Sequence, residues 1–421
     1  VALRFLIAIA YCPGVSDQQT LAPVAAVHST KPQYFFSYAV LGSVVPFLSV
    51  LLAERGLSDS QIGDVWAVST LGVIFTPILV TLLADTAVAP RFLMAALFCL
   101  AGLFLAVLMP AQTFWPILVL YSLHQFALQP VFPLQDGVHF AAQALRRDHG
   151  LPEAPYHTVR VWGTIGYIIP SAALYFALKP GHSLTPTIVC GIAFCAIGAI
   201  GSLFLPHTPP QPRDAAESRL PTLAAAKAIA EPHVLIFCVA MFLIHMGSQA
   251  YYQFYPLHLT RVCGIDKEWV GLIQQIGTVG EIFYMFAFAW FVRRLTLRRL
   301  MYLGALAISL RMVLLVAFPY AAVAIGVQVI HGLTVLVIHV APPIFLNQRA
   351  GDRYRNSIQG LYTMAFAGAG RVIGAWSAGK LANTGLPKTF LAAAGVSAIA
   401  TILLYFAFHE GHGREGAKHN A

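Results

Sequence analysis

Glu281, Arg311 and His331 each lie near the middle of a long apolar stretch, and the three stretches are consecutive in the chain. If the stretches are membrane helices, an acid, a base and an imidazole share one depth in the bilayer. Ionisable groups are costly there, and where they occur they serve ion pathways and proton relays. They fall thirteen, twelve and eleven residues into their stretches. At ~1.5 Å per residue that is about 16–20 Å, close to the centre of a hydrocarbon core ~30 Å thick. Burial and a neighbouring guanidinium act on a carboxyl group in opposite senses, so such an acid can be protonated in one conformation and charged in another. That is the chemistry of proton coupling. The competing reading is a structural Glu–Arg pair that fixes helix packing.

A second pair is Asp136 and Arg160, each twelve residues from a loop centred near position 148. Gln125, Gln129, Phe132 and Asp136 share one helical face, and Arg160, Thr164, Tyr167 and Ser171 share another. Two polar stripes on adjacent helices fit the wall of an aqueous cavity. There an arginine can hold a carboxylate or hydroxyls bidentately, with Asp136 as its resting partner. The alternative is a salt bridge that only locks the two helices. His245, Gln249 and Tyr252 form one more stripe, as do Gln274, Thr278 and Glu281. Gln249, Tyr252 and Gln274 are candidates for substrate binding, whereas Tyr251 and Tyr255 also suit an interfacial aromatic belt. Arg371 lies deep in a later stretch with no obvious carboxylate beside it; it is expected either to meet an anionic substrate or to pair with Glu281. Asp64 follows a Ser58-x-x-Gln61 capping box and complements a helix N-terminus. Asp85 and Arg91 flank a short connection and are read as gating residues.

The elements that must position these side chains follow from composition. The chain has 421 residues, 58% hydrophobic and only 10% charged, with a mean hydropathy of +0.72. Soluble domains carry about 25% charged residues, so this is a polytopic membrane protein. Twelve apolar stretches are long enough to span: 33–53, 61–84, 91–109, 114–140, 158–178, 184–205, 233–258, 268–290, 299–317, 320–346, 355–382 and 386–408. They are continuously apolar, without the alternation of barrel strands, which predicts an all-α membrane fold.

The formal charge of +9 is a topology signal and gives no reason to expect nucleic acid. With the N-terminus inside, eighteen Lys and Arg fall on the inner side and six on the outer, while Arg311 and Arg371 lie within helices. That bias places both termini in the cytoplasm. Six scattered cysteines, Cys12 among them, form no CxxC pair, so neither a disulfide framework nor a metal site is expected. Residues 1–30 are read as an N-terminal extension whose apolar start is too short to span.

Residues 207–232 are the only long polar, proline-rich stretch between helices. They separate a six-helix bundle at 31–206 from a second at 233–409, with a tail at 410–421. The halves echo each other at an offset of 208: Gly56-Leu57-Ser58-Asp59, Gly63 and Phe75 match Gly264-Ile265-Asp266-Lys267, Gly271 and Phe283 in place. Six plus six helices with a linker is a duplicated transporter layout, in which substrate binds near the midplane between the halves.

LLAERGLSDSQIGDVWAV, at the connection between the first two stretches, resembles the lactose-permease-like branch of the major facilitator superfamily. RVWGTIGYI (160–168), GSQAYYQFYPLHL (247–259), VGEIFYMF (279–286), LRMVL (310–314), HGLTVLVIH (331–339) and IQGLYTMAFAGAGRVIGAWSAGKL (358–381) resemble the phenylpropionate-permease group, also called the MFS_1-like family. The resemblance spans roughly 31–408 and implies twelve helices, alternating access and proton symport. It matches Glu281, Arg311 and His331 to the intramembrane triad of lactose permease, and Asp136 and Arg160 to its sugar-holding pair. Lactose permease has a second acid one turn after the histidine; this chain has Thr334, so the resemblance leaves either Glu281 as the proton carrier or a carrier without coupling. Thr81 stands where the family's loop between helices two and three usually has a glycine. Arg371 stands where a small residue is usual, which favours an anionic or unusually polar substrate.

The expected function is a proton-coupled symporter that imports a small organic solute (an aromatic acid, a nucleoside or a sugar) across the cytoplasmic membrane, acting as a monomer without cofactor. A facilitator or a proton-antiport exporter of the same fold is the alternative within transport, and a membrane receptor the alternative outside it. No HExxH or GxSxG sequence occurs, and the membrane acids are spread over several helices, so no enzyme is expected.

Overall fold

A computed structural model of the chain describes residues 23–148, 156–178, 182–206, 220–350 and 355–408. Among them twelve long helical segments follow the expected stretches in order. The first half comprises α1 (Pro23–Val44, a 3-10 turn Val45–Phe47, then Leu48–Glu54), α2 (Asp59–Thr86), α3 (Pro90–Leu108), α4 (Phe114–Leu128 and Val131–Asp148), α5 (Tyr156–Ala177) and α6 (Thr185–Leu203). The second comprises α7 (Pro232–Arg261), α8 (Glu268–Arg294), α9 (Leu297–Ala317), α10 (Ala321–Gly326 through Ala341–Ala350), α11 (Arg355–Tyr362 through Ala369–Ala382) and α12 (Leu386–Phe406).

Large apolar side chains such as Phe176 (83% exposed) and Phe286 (81%) face outward, an arrangement that only a lipid surround makes favourable. Eight segments are long and apolar enough to cross a membrane: α1, α3, α4, α6, α7, α9, α10 and α12. The other four, α2, α5, α8 and α11, carry Asp59, Asp64, Arg160, Glu268, Glu281, Arg371 and Lys380. Those four meet at the junction of the halves, α2 on α11 and α5 on α8. Polar residues are thus concentrated where the two bundles face each other and away from lipid.

Two sequence boundaries shift. Helix α1 starts at Pro23, within the expected extension, and runs through Pro32. A proline inside a helix forfeits one hydrogen bond, and here it does not end the helix. Part of the expected linker is also helical: Leu220–Ile229 packs on α7 and on the first turns of α11 and buries Ala225, Ala228 and Ile229. The rest of the linker over 207–219, the segment 1–22 with Cys12, and the tail from 409 lie outside the described residues.

The repeat read at an offset of 208 has a structural counterpart. Gly56 and Gly264 occupy equivalent connections with φ of 81° and 66°, a region open to glycine and strained for other residues. Seven residues on, Gly63 on α2 packs against Gly379 of α11, and Gly271 on α8 packs against Ser171 of α5. The capping box at Ser58 forms in full, with Gln61 N donating to Ser58 Oγ at 3.3 Å and Ser58 N donating to Gln61 Oε1 at 3.0 Å. Asp64 is engaged differently from expectation: it pairs with Lys380 of the other half at 3.1 Å.

That contact belongs to a seal at one end of the bundle. Asp59 pairs with Arg261 at 2.8 Å, Glu54 with Lys267 at 2.5 Å, and Ser60 N donates to Asn383 Oδ1 at 3.0 Å. Each joins the first half to the second. The ion pairs are partly exposed and contribute about 0–1 kcal/mol each; the backbone contact of Gly63 with Gly379 sets how closely the halves approach.

Candidate functional site

Next to the seal, at mid-height, the half-buried side chains of both bundles face one another. Arg160 on α5 stacks its guanidinium 4.3 Å above the Tyr38 ring of α1. Tyr34 and Tyr38, one turn apart on α1, present their rings to this side. Small residues allow it: Gly42 and Gly166 meet the backbone of the opposite helix where α1 crosses α5. Across the junction, Arg160 acts electrostatically on Glu281 of α8 and on His339 of α10. Glu281, Arg160, Tyr38 and Tyr252 keep accessible surface although protein encloses them. Together they outline a polar cleft between the halves.

Arg311 of α9 is fully buried. Its guanidinium lies 3.6 Å over the ring of Tyr251 and bonds through Nη1 to His331 Nδ1 at 3.1 Å. Tyr251 in turn donates to Gln328 Oε1 at 2.8 Å and stacks on Tyr255 at 4.6 Å between centroids. Nε and Nη2 of Arg311 have no partner among the described residues. Arg311 and His331 are therefore brought together as the sequence predicts. Glu281 is not part of that group: among the described residues it forms no ion pair with Arg311, and the cation it faces is Arg160. Equal depth along three helices fixes height but not direction around the helix axis. Here α8 turns its acid toward the cleft while Arg311 is held by the α7 aromatics.

The Asp136–Arg160 pairing is corrected in the same way. Asp136 accepts a short hydrogen bond from Tyr34 and another from Tyr156 Oη at 2.9 Å, and it forms no ion pair with Arg160 among the described residues. The α4–α5 connection is centred beyond 148, because α4 runs to Asp148 and α5 begins at Tyr156. Through Tyr156 Oη, Asp136 is tied to the first turn of α5, and Arg160 lies one turn further along that helix.

Gln274 donates to the carbonyl of Pro46, in the 3-10 turn of α1, at 2.9 Å, and with Gln275 bonded to Ser171 Oγ it clamps α8 to the first half. Its amide nitrogen thus has a protein acceptor in this conformation. Gln249 is buried at 8% exposure. Tyr252 is half-buried, edge-on to His331 at 6.2 Å, and within electrostatic reach of Arg311, Glu281 and Arg371 together. Arg371 on α11 donates through Nε to His245 Nδ1 at 3.4 Å, and His245 Nε2 lies 3.4 Å from Tyr362 Oη; it forms no pair with Glu281. Arg91 rests over Phe92 at 4.7 Å, and Asp85 is on α2 with its side chain outside the described residues.

The aromatic partners of the arginines were not read from the sequence as such. The signal was there in Tyr34 and Tyr38 at i and i+4 facing a polar stripe, and in Tyr251 next to Tyr252. Among the described residues no group of three or more His, Cys, Asp or Glu could hold a metal ion.

Comparison with known proteins agrees with this architecture. The chain is 26% identical over 362 residues to "Putative nucleoside transporter YegT" of Escherichia coli (strain K12), covering 81% of this chain and 80% of that protein. It is 25% identical over 325 residues to "Probable 3-phenylpropionic acid transporter" of the same organism, covering 76% and 81%. Its fold superposes on the crystal structure of nucleoside transporter NupG with a TM-score of 0.79 at 18% identity, covering 90% of this chain and 98% of that one. It is a multi-pass membrane transporter of small organic solutes and not an enzyme. The model of the MFS_1 like family matches residues 28–392, and the chain belongs to that family.

Proposed function

We propose that this protein is a proton-coupled symporter that brings a small solute with an aromatic or heteroaromatic ring into the cell by alternating access. The observation that carries the proposal is the position of Glu281. It keeps accessible surface at the junction of the halves, it forms no ion pair among the described residues, and Arg160 of the first half acts on it electrostatically. A charge so placed meets one environment when the halves are apart and another when they close. Protonation of Glu281 with solute bound would let the loaded carrier reorient, and a charged Glu281 would oppose passage through the closed form. Tyr38, Tyr252 and Arg160 offer ring faces and hydrogen-bond donors to the solute. The names of the relatives, two of them nucleoside transporters and one an aromatic-acid transporter, support a ring-bearing solute.

The distribution of Lys and Arg supports cytoplasmic termini in the inner membrane. In that orientation the seal of Gly63, Gly379 and the ion pairs is the outer gate, and the conformation is closed to the outside. Asp85 and Arg91 would belong to the inner gate. One chain carries both walls of the cleft, so the monomer suffices.

The test is solute-driven pH change in proteoliposomes. Internal acidification on adding uridine or 3-phenylpropionate, abolished in Glu281→Gln while solute counterflow persists, supports symport through Glu281. Solute entry without proton movement in the native protein rejects the coupling and favours a facilitator.

A further inference from the structure

We infer that Arg371, with His245, Tyr362 and His339 around it, is an anion-taking subsite of the cleft, and hence that the solute is a ring-bearing organic anion. This rests on the carrier reading above and names its substrate class. Arg371 has one protein acceptor, His245 Nδ1 at 3.4 Å. A guanidinium presents five N–H donors, and the others have no protein acceptor among the described residues. The residue nonetheless keeps accessible surface within the enclosed cleft. The groups that act on it electrostatically are Tyr362 and Tyr252, with no carboxylate among them. His339 is exposed to the same space and has Arg371 and Arg160 as its neighbours.

Backbone geometry points to the same place. α10 contains a π-helical turn at Leu336–Val340, which includes His339, and α11 contains one at Thr363–Gly368, three residues before Arg371. Such turns are uncommon and concentrate at functional sites. Both π-helical turns of the second half, among the described residues, therefore border one group of side chains.

Charge decides the class of ligand. Arg160, Arg311 and Arg371 stand in or beside the cleft against Glu281, while Asp136 is taken up by two phenols. At the sealed end, by contrast, Arg261, Lys267 and Lys380 each have a carboxylate partner. A carboxylate or phosphate held bidentately by Arg371 would satisfy its free donors and offset the excess positive charge; an uncharged solute would do neither.

The experiment uses the full chain, purified and reconstituted, with four probes: 3-phenylpropionate, 3-phenylpropanol, uridine 5′-monophosphate and uridine. Affinity is read from thermal stabilisation and from counterflow. One anion of the pair is expected to bind at least tenfold more tightly than its uncharged counterpart, and which one it is separates carboxylate from phosphate. Arg371→Gln should remove that advantage, so that the anion and its uncharged counterpart bind alike, while Arg371→Lys should restore part of it as a point charge without the fork. Retained binding of the uncharged probe shows that the variant is folded. Equal or tighter binding of the uncharged probe in the native protein, or an equal loss of both probes in Arg371→Gln, overturns the subsite. Uridine counterflow in that case leaves the carrier reading intact, whereas counterflow with none of the four overturns both.

Discussion

Replacing Gly63 by leucine should prop the sealed end open. A Cβ built at position 63 lies 2.5 Å from Gly379 Cα and 2.9 Å from the Ala375 carbonyl oxygen, where ordinary contact begins at 3.4 Å. The obstructing atoms are backbone and cannot rotate away. Relief for the first carbon alone needs α2 and α11 to separate by 0.9 Å, the difference between 3.4 and 2.5, and leucine adds three further heavy atoms. Overpacking of this kind costs about 1–3 kcal/mol. The clash exists only when this end is closed, so the cost falls on one conformation. At 1.4 kcal/mol per tenfold, the closed-to-open ratio should drop by roughly 5- to 140-fold. Spin labels at Ser58→Cys and Asp266→Cys in a cysteine-free background, one on each half, report this as a shift of the distance distribution to longer values. The same variant should slow counterflow, because the carrier must close this end in every cycle. A folded Gly63→Leu protein with an unchanged distance distribution would refute the argument that the Gly63–Gly379 contact limits the approach of the halves.

Three further outcomes are expected. Tyr251→Leu should lower the melting temperature in detergent, since the cation–π contact under a desolvated Arg311 is worth about 2 kcal/mol or more; Tyr251→Phe keeps the ring and should lose only the hydrogen bond to Gln328, about 1 kcal/mol. Asp59→Asn should move the Ser58–Asp266 label distance far less than Gly63→Leu does, because an exposed ion pair contributes about 0–1 kcal/mol; a larger shift would make the ion pairs the main closure. If one proton enters with one monoanion, no net charge moves, so uptake of the preferred anion should be insensitive to an imposed potassium-diffusion potential. Glu281→Gln, which leaves the proton behind, should suppress net uptake more than it suppresses exchange.

How the arginines are held separates what the chain states locally from what packing decides. Periodicity put Arg311 and His331 at one depth, and they touch. The same reasoning put Glu281 beside them, and it faces Arg160 instead. Helical spacing also placed Asp136 and Arg160 on stripes facing a common space, yet Asp136 is bonded to Tyr34 and Tyr156. A hydropathy pattern constrains each helix along its own axis; it leaves open the rotation and tilt that neighbours impose. Gln274 shows the limit most simply, because its partner is a backbone carbonyl at Pro46, an acceptor no side-chain motif displays.

The sequence by itself determined the membrane class, the order of twelve helical segments and the capping box at Ser58. These rest on transfer free energies and local hydrogen bonding, which act within a few turns of chain. Tertiary structure alone decided that α2, α5, α8 and α11 meet at the junction, that Gly63 touches Gly379, and that Arg160, Arg311 and Arg371 rest on an aromatic ring or a histidine and not on an acid. Those choices are made between residues far apart in the chain. Their physical basis is close packing at the helix crossings, where a single missing Cβ sets how near two backbones come.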